Sequence, residues 1–277
     1  MAWKSKPNPH RVRPPLPERT PSLESVQIVE PYPEQVESVM TETKTNSPLL
    51  GSYQDYIEIR ELDIERTKGT SGFLKNEDIW FWVKTDNGAW TGPHQDWERS
   101  HRHKYFKKVK KFDVVITAGA NLGMYTRFLA KKFQRVYAFE PEPLNFHCMV
   151  INNQVDNVYK MNAALGKEPG FVFTTGTRTA SNRGMFKVNP EAAGAFIPMF
   201  SIDSLPWDTV DLIQLDVEGY EYDVLQGAKN TIQKHKPVVI AENGKKKEIE
   251  HFMNQLGYIQ GDQSVSDTIY HHRSKKE

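Results

Sequence analysis

Acidic side chains gather at one point of the chain, directly after an apolar segment. Asp216, Glu218 and Glu221 lie within six residues, and they follow residues 210–215, whose Val, Leu and Ile content predicts a buried strand. Ligands of open α/β sheets bind outside the carboxyl ends of the strands. We therefore expect Asp216 to act as a base or orienting group, with Glu218 in support. An acid-rich first helical turn is an alternative interpretation of Glu218 and Glu221.

A glycine-containing turn earlier in the chain has the spacing of a nucleotide cradle. Gly119, Asn121 and Gly123 separate a β-branched run at 114–116 from an amphipathic helix predicted to begin at about Leu122. Glycines let backbone amides approach a ligand closely, and amides at a helix N-terminus suit a carboxylate or a phosphate. The turn is therefore a candidate cofactor site.

Two further polar residues end predicted strands at the same edge of the sheet. Glu140 comes 17 residues after Gly123, where nucleotide-binding sheets place an acid that accepts hydrogen bonds from ribose hydroxyls. Asn162 follows the next predicted strand and could bond the edge of an adenine, or it could serve as a turn or cap residue. Both residues extend the candidate cleft.

The elements that position these residues alternate between strands and helices, which indicates an α/β fold with a mostly parallel sheet. One helix, apolar on one face from Tyr220 to Ile232, is predicted after the fourth strand and leaves Glu221 partly exposed. The predicted strands are 114–116, 135–140, 157–161, 210–215 and 237–241, with a C-terminal antiparallel pair at 258–259 and 268–270. The polar segment 170–200 predicts a long loop, which could be a substrate lid carrying Arg178 and Arg183.

Composition divides the chain into three regions. Residues 1–50 hold nine of the 17 prolines, which predicts a disordered arm or an arm that folds onto a protein partner. Residues 51–104 predict a cap with a β-hairpin, because Asn87-Gly88 lies between the apolar runs 79–84 and 89–90. Residues 105–277 form the predicted catalytic domain.

Net charge and cysteine content indicate which partners and which cellular compartment to expect. The formal net charge of the 277 residues is +1, so we do not expect nucleic acid to be a partner. Cys148 is the only cysteine, which favours a reducing compartment such as the cytoplasm. We expect neither a signal peptide nor a membrane span, since no apolar run is long enough.

Seven ordered motifs over residues 105–272 resemble the FkbM family of S-adenosylmethionine-dependent methyltransferases. They are residues 117–123, 137–143, 164–166, 202–205, 211–221, 224–228 and 236–242. The resemblance implies a Rossmann-like class I methyltransferase fold with a seven-stranded sheet, and O-methylation. It implies S-adenosylmethionine as the cofactor, held by Thr117, Gly119, Asn121, Gly123, Glu140 and Asn162. We expect the acceptor to be a hydroxyl on a sugar or another small molecule.

The reaction we expect is in-line transfer of a methyl group to a hydroxyl, with Asp216 and Glu218 as the catalytic residues. No metal ligand is required by this interpretation. An alternative uses Asp216, Glu242 and Asn243 as oxygen ligands of a magnesium ion that acidifies the acceptor hydroxyl.

Two positions depart from the family pattern. Thr117 stands where the family usually has an aspartate that helps to hold the amino acid end of the cofactor, and Gln214 stands where a lysine is common. Thr117 offers a hydrogen bond but no charge. A second hypothesis is therefore a protein with a weakened cofactor cleft that serves as a binding or assembly component through its N-terminal arm.

Overall fold

A seven-stranded sheet is the centre of the fold in our computed structural model, which describes residues 57–61, 79–83, 106–175, 187–189, 196–263 and 266–273. The strands are β1 (Ile57–Glu61), β2 (Ile79–Val83), β3 (Val114–Ala118), β4 (Arg135–Phe139), β5 (Val158–Met161), β6 (Ala164–Leu165), β7 (Gly170–Thr175), β8 (Lys187–Asn189), β9 (Phe196–Phe200), β10 (Leu212–Leu215), β11 (Val238–Glu242), β12 (Tyr258–Gln263) and β13 (Asp267–His272). The α-helices are α1 (Met124–Ala130), α2 (Pro143–Asn152), α3 (Glu221–Gln226), α4 (Lys229–His235) and α5 (Lys246–Gln255).

The order of the strands creates a crevice at the centre of the sheet. The order is β12-β13-β11-β10-β3-β4-β5, and β11, β10, β3, β4 and β5 are mutually parallel. The chain moves from β3 out to β5 and then returns to β10 on the other side of β3. Such a reversal is the switch point at which α/β sheets bind ligands. The antiparallel pair β12–β13 completes the sheet and confirms the predicted C-terminal pair.

Two apolar layers enclose the sheet. Ile116 of β3 belongs to the core cluster that contains residues of α3, α4 and α5, whereas its neighbour Val115 belongs to the cluster with residues of α1 and α2. All five residues of β3 are buried. A parallel strand covered on both faces is an uninterrupted apolar or β-branched run in sequence, which explains why this strand was predictable. The α/β fold class is confirmed.

The predicted helix boundaries were wrong at two places. Helix α1 begins at Met124 rather than at Leu122, because Gly123 has a φ of 83° and its N–H closes a turn onto Ala120 O at 2.9 Å. The single helix predicted after β10 is two helices, α3 and α4, separated at Gly227. A β-carbon on Gly227 would lie 2.1 Å from Gly166 O, so the junction packs directly on the β6–β7 turn.

The prediction of a loop over 170–200 was also wrong. This segment contains β7, β8 and β9, which form a four-stranded sheet with β6 in the order β6-β9-β7-β8. Val172 and Ile197 are buried on one face of this sheet, whereas Phe171 and Phe196 on either side of the pairing are exposed. Alternation of this kind is typical of a sheet with one covered face. Arg178 and Arg183 lie outside the described residues.

The N-terminal regions are described only in part. β1 and β2 form an antiparallel ribbon, so the predicted arm at 79–84 contains a strand, Ile79–Val83, which pairs with residues 57–61. The second arm of the predicted hairpin, residues 89–90, and the arm 1–50 lie outside the described residues. Within the ranges that are described, no helix combines the length and the apolar character needed to cross a membrane.

Candidate active site

The glycine turn between β3 and α1 lies against the end of β10. Gly119 has a φ of 74°, and a β-carbon built on it would lie 1.6 Å from the carbonyl oxygen of Asp216. On the other side, the N–H groups of Gly119 and Ala120 both donate to Phe139 O at 3.1 Å. The structure therefore places the predicted cofactor turn and the predicted catalytic aspartate in direct backbone contact.

Glu140, directly after β4, accepts a hydrogen bond from the backbone of this turn. One carboxylate oxygen accepts the N–H of Asn121 at 2.7 Å, and the other accepts the N–H of Glu142 at 2.9 Å. Burial raises the pKa of Glu140 from its ordinary value of 4.5 to about 7, although both amides act to lower the pKa. The expected ribose acceptor thus also holds the backbone of the cofactor turn. Carboxylate oxygens offer about four acceptor positions, and the Asn145 side chain uses a third, so one remains for a ligand.

Asn121 contributes an acceptor to the same turn. It adopts a left-handed conformation with a φ of 49°, which is uncommon for a residue with a side chain. Its Oδ1 is buried and accepts no hydrogen bond from any residue that the structure describes. Buried polar atoms without a partner are rare in folded proteins, so this atom points to a ligand that donates a hydrogen bond.

Asn162 is placed at the cleft but has a structural task. Its side-chain Nδ2 donates to Glu140 O at 2.9 Å and to Pro141 O at 3.1 Å. The amide hydrogens therefore hold the β4–α2 connection. The adenine contact expected of Asn162 stays a prediction, and it would fall to the side-chain oxygen.

Thr117 and Gln214, the two departures from the family pattern, face each other. They are partners in the parallel register of β3 and β10, and the Thr117 hydroxyl donates to Gln214 Oε1. The side chain of Thr117 is only 1% exposed. The two departures therefore form one hydrogen-bonded pair that carries no charge at this point of the sheet.

The acids that follow β10 separate into two groups. Asp216 and Glu218 lie with Glu242, from the end of β11, so that one carboxylate oxygen of each is within 4.8 Å of the others. Glu221, in contrast, is fully buried, and its Oε1 accepts the N–H groups of Val217 and Gly219 at 3.1 Å. The prediction of a partly exposed Glu221 was wrong, because its carboxylate turns inward to hold the backbone on both sides of Glu218.

Two of the three magnesium ligands expected in the alternative lie together, and the third does not join them. Asp216 and Glu242 are neighbours as that alternative requires, and Glu218 joins them. Asn243 Oδ1 accepts a hydrogen bond from the Thr268 hydroxyl at 2.5 Å instead. Three carboxylates can remove or hold a proton, and their oxygens are also of the type that a hard divalent cation prefers.

Comparison with known proteins assigns the family. Residues 118–259, about half of the chain, match the family described as "Methyltransferase FkbM domain". The chain belongs to the FkbM methyltransferase family. The match begins at the last residue of β3 and ends in β12, so it includes the glycine turn and all three clustered acids. The class I methyltransferase fold expected from the sequence motifs is confirmed.

Individual relatives are distant from this FkbM-family chain. It is 23% identical to the hexuronic acid methyltransferase AglP of Haloferax volcanii over 48% of this chain and 57% of AglP. It is 25% identical to methyltransferase 1 of Beauveria bassiana over 51% of this chain and 72% of that protein. The crystal structure of methyltransferase FkbM from Methylobacillus flagellatus KT aligns with a TM-score of 0.40 and 18% identity, covering 57% of this chain and 43% of that chain. The chain thus spans little more than half of AglP.

The sequence interpretation missed two residues of this FkbM-family chain that are remote from the cofactor turn in sequence but hydrogen-bond to it directly. Asn152 and Asn153, at the end of α2, donate from their side chains to the carbonyl oxygens of Leu122 and Gly123. In the sequence they resemble a polar helix end, which is a common pattern without functional content. Only the fold brings them to the glycine turn.

The Thr117–Gln214 pair predicts a strong energetic coupling. Thr117→Asp alone buries an unmatched carboxylate, and we expect it to lower the free energy of unfolding by about 3 kcal/mol. Adding Gln214→Lys supplies the opposite charge, so the double variant should be more stable than the sum of the single effects by at least ~1 kcal/mol. Denaturant unfolding of the four proteins measures this coupling. Additive effects would show that the two positions do not interact.

Glu140 predicts a specific pH dependence of stability. Because its pKa is raised in the folded state, its protonation stabilises the fold fully below about pH 4.5, and this contribution is lost as the pH rises through about 7. We expect the unfolding free energy of the wild type to fall by roughly 3 kcal/mol relative to Glu140→Gln across this range. Denaturant unfolding at a series of pH values checks this. Glu168→Gln, at an exposed position, is the matched control, and an equal pH slope in all three proteins would contradict the prediction.

Proposed function

We propose that this chain is an S-adenosylmethionine-dependent O-methyltransferase that acts on a hydroxyl of a sugar or another small acceptor. The observation that carries the proposal is the contact between Gly119 and the Asp216 backbone, supported by the hydrogen bond from Asp216 N–H to Ala118 O at 3.1 Å. This contact keeps a carboxylate beside the turn to which the cofactor would bind. Proximity of this kind between a base and a reactive group is what group transfer requires.

The residues of the turn fit the cofactor. Asn121 Oδ1 is a buried acceptor without a partner in the described part of the chain, and Glu140 keeps acceptor capacity for ribose hydroxyls. The methionine ammonium and the ribose of S-adenosylmethionine are donors. Gly119 and Gly123 both have positive φ values, and a β-carbon on either would collide with the protein itself, so the two glycines are what allow the turn to adopt this shape.

The chain's own part in the reaction is to orient the acceptor and to accept its proton. When bound, S-adenosylmethionine supplies a methyl group already activated by its sulfonium. Asp216 takes the hydroxyl proton, and Glu218 supports Asp216 and the position of the acceptor. Glu221 keeps the 217–219 backbone in place through its two hydrogen bonds, so the carboxylates are presented from a fixed turn.

A sugar acceptor is supported by one relative. The name of AglP describes it as a hexuronic acid methyltransferase, and its match with this chain is 23% identical. Sugar hydroxyls are weak acids, so a carboxylate base or a cation is needed to help remove the proton. We propose a sugar hydroxyl as the first acceptor class to test, with small-molecule hydroxyls next.

The competing hypothesis was a binding or assembly component with a weakened cleft. The observations that favoured it were Thr117 and the N-terminal arm, and the contact with Gln214 gives Thr117 a structural explanation. The arm that would contact a protein partner lies outside the described residues. The enzyme hypothesis is therefore the better supported of the two.

Replacement of Asp216 tests the proposed base. With labelled S-adenosylmethionine and a panel of uronic acids, neutral sugars and small alcohols, we expect Asp216→Asn to lower turnover at least ~100-fold. Its affinity for S-adenosylhomocysteine should stay near that of the wild type. Asp223→Asn is the matched control. Asp223 lies in α3, pairs with Lys245 and does not belong to the cluster of Asp216, Glu218 and Glu242. Full turnover by Asp216→Asn would rule out the assignment.

The same assay separates the base from the magnesium alternative. Activity that persists after treatment with a chelator supports Asp216 as a simple base. Activity that is lost and returns with added Mg²⁺ supports a cation held by Asp216, Glu218 and Glu242.

A further inference from the structure

Three consecutive residues of the cofactor turn are each held by a different side chain. Glu140 accepts the N–H of Asn121 at 2.7 Å. Asn152 Nδ2 donates to Leu122 O at 2.9 Å, and Asn153 Nδ2 donates to Gly123 O at 3.0 Å. Glu140 precedes α2, and the two asparagines end it. Residues on both sides of α2 therefore form hydrogen bonds with the same turn.

The two asparagines are built into the fold. Their exposed fractions are 3% for Asn152 and 1% for Asn153. Asn153 Nδ2 also donates to Met149 O at 3.0 Å, so its amide is fixed to its own helix while it holds the turn. A β-carbon on Gly123 would lie 2.0 Å from Asn153 Nδ2, which shows how closely the amide approaches the turn. Gly123 is thus required by Asn153 as well as by its φ.

Arg127 of α1 forms a further hydrogen-bonded link to the end of α2. Its guanidinium donates from Nε to Asn152 O at 2.9 Å and also from Nη2. Because Arg127 belongs to α1 and Asn152 to α2, the two helices are joined at the place where the turn enters α1. Asn152 thus bonds to Arg127 of α1 through its carbonyl and to Leu122 of the turn through its side chain.

We propose that Asn152 and Asn153 are positioning residues that fix the orientation of the cofactor turn without contacting the cofactor. A peptide group is planar, so holding the carbonyl of Leu122 fixes the plane of the 122–123 peptide, and holding the carbonyl of Gly123 fixes the 123–124 peptide. The turn is rich in glycine and would otherwise reorient at low cost. This inference rests on the proposed cofactor, but the ordering of the turn can be measured without it.

Asn157 offers a matched control. Its Nδ2 donates to Ala130 O at 2.8 Å and to Phe133 O at 2.9 Å, at the opposite end of α1. An alanine at position 157 therefore removes the same type of side chain and the same type of contact, far along the helix from the turn. Any general loss of stability should be shared by variants at positions 152, 153 and 157.

Hydrogen–deuterium exchange of the cofactor-free protein tests the positioning role directly. We expect Asn152→Ala and Asn153→Ala each to raise exchange about tenfold in peptides covering residues 119–124, with Asn157→Ala leaving these peptides at the wild-type rate. Titration calorimetry with S-adenosylhomocysteine should show about tenfold weaker binding for the first two variants only. Asn152→Asp and Asn153→Asp keep the shape but lose the donor, and they replace the alanine variants if those do not fold.

The outcomes distinguish this inference from the proposed function. Unchanged exchange and affinity in the variants at 152 and 153, or equal changes in Asn157→Ala, would overturn the positioning role. If the wild type binds no S-adenosylhomocysteine, the proposed function fails, and the exchange experiment alone decides whether the asparagines order the turn.

Discussion

The rest of the site depends on the close contact between the backbones of Gly119 and Asp216. A β-carbon at this position would lie 1.6 Å from the carbonyl oxygen of Asp216, so only glycine is compatible with the pairing of β3 and β10 as it is. The constraint has a functional consequence. It places the cofactor turn and the acidic cluster of Asp216, Glu218 and Glu242 at the same switch point of the sheet.

Buried acids and amides stabilise the two turns that meet there. Glu140 accepts two backbone N–H groups around the glycine turn, and Glu221 accepts two around the turn that carries Glu218. Burying a carboxylate is costly unless it is hydrogen-bonded, and main-chain donors bond both oxygens of Glu140 but only Oε1 of Glu221, whose Oε2 is buried without a partner among the described residues. The turns are therefore shaped by residues that lie behind them. The neutral Thr117–Gln214 pair follows the same logic, since it satisfies a buried hydroxyl without introducing a charge.

The strands and the edge of the sheet that forms the site could be predicted from the sequence, for a physical reason. Strands such as β3 are buried on both faces and so appear as continuous apolar runs, and the carboxyl ends of parallel strands must share one edge. This was enough to place Gly119, Glu140 and Asp216 together. The strands β7 and β9 were missed because Phe171 and Phe196 are exposed, which breaks the usual alternation of buried apolar and exposed polar residues. The break at Gly227 depends on a contact with Gly166, which lies far away in sequence.

Residues that act through others were beyond the reach of sequence patterns. Asn152 and Asn153 have no motif of their own, and Glu221 resembles an ordinary acid in a first helical turn. Their roles depend on which backbone atoms the fold brings within hydrogen-bond distance. The same holds for Thr117, whose meaning changes once its partner on the neighbouring strand is known.

Titration calorimetry of the wild-type chain with S-adenosylmethionine and S-adenosylhomocysteine tests the central claim most directly. If the turn is ordered in advance and the Thr117–Gln214 pair compensates for the family's charged residues, both compounds should bind one to one with micromolar dissociation constants. The account would be contradicted if neither compound gave binding heat at millimolar concentration and neither competed with the other for binding.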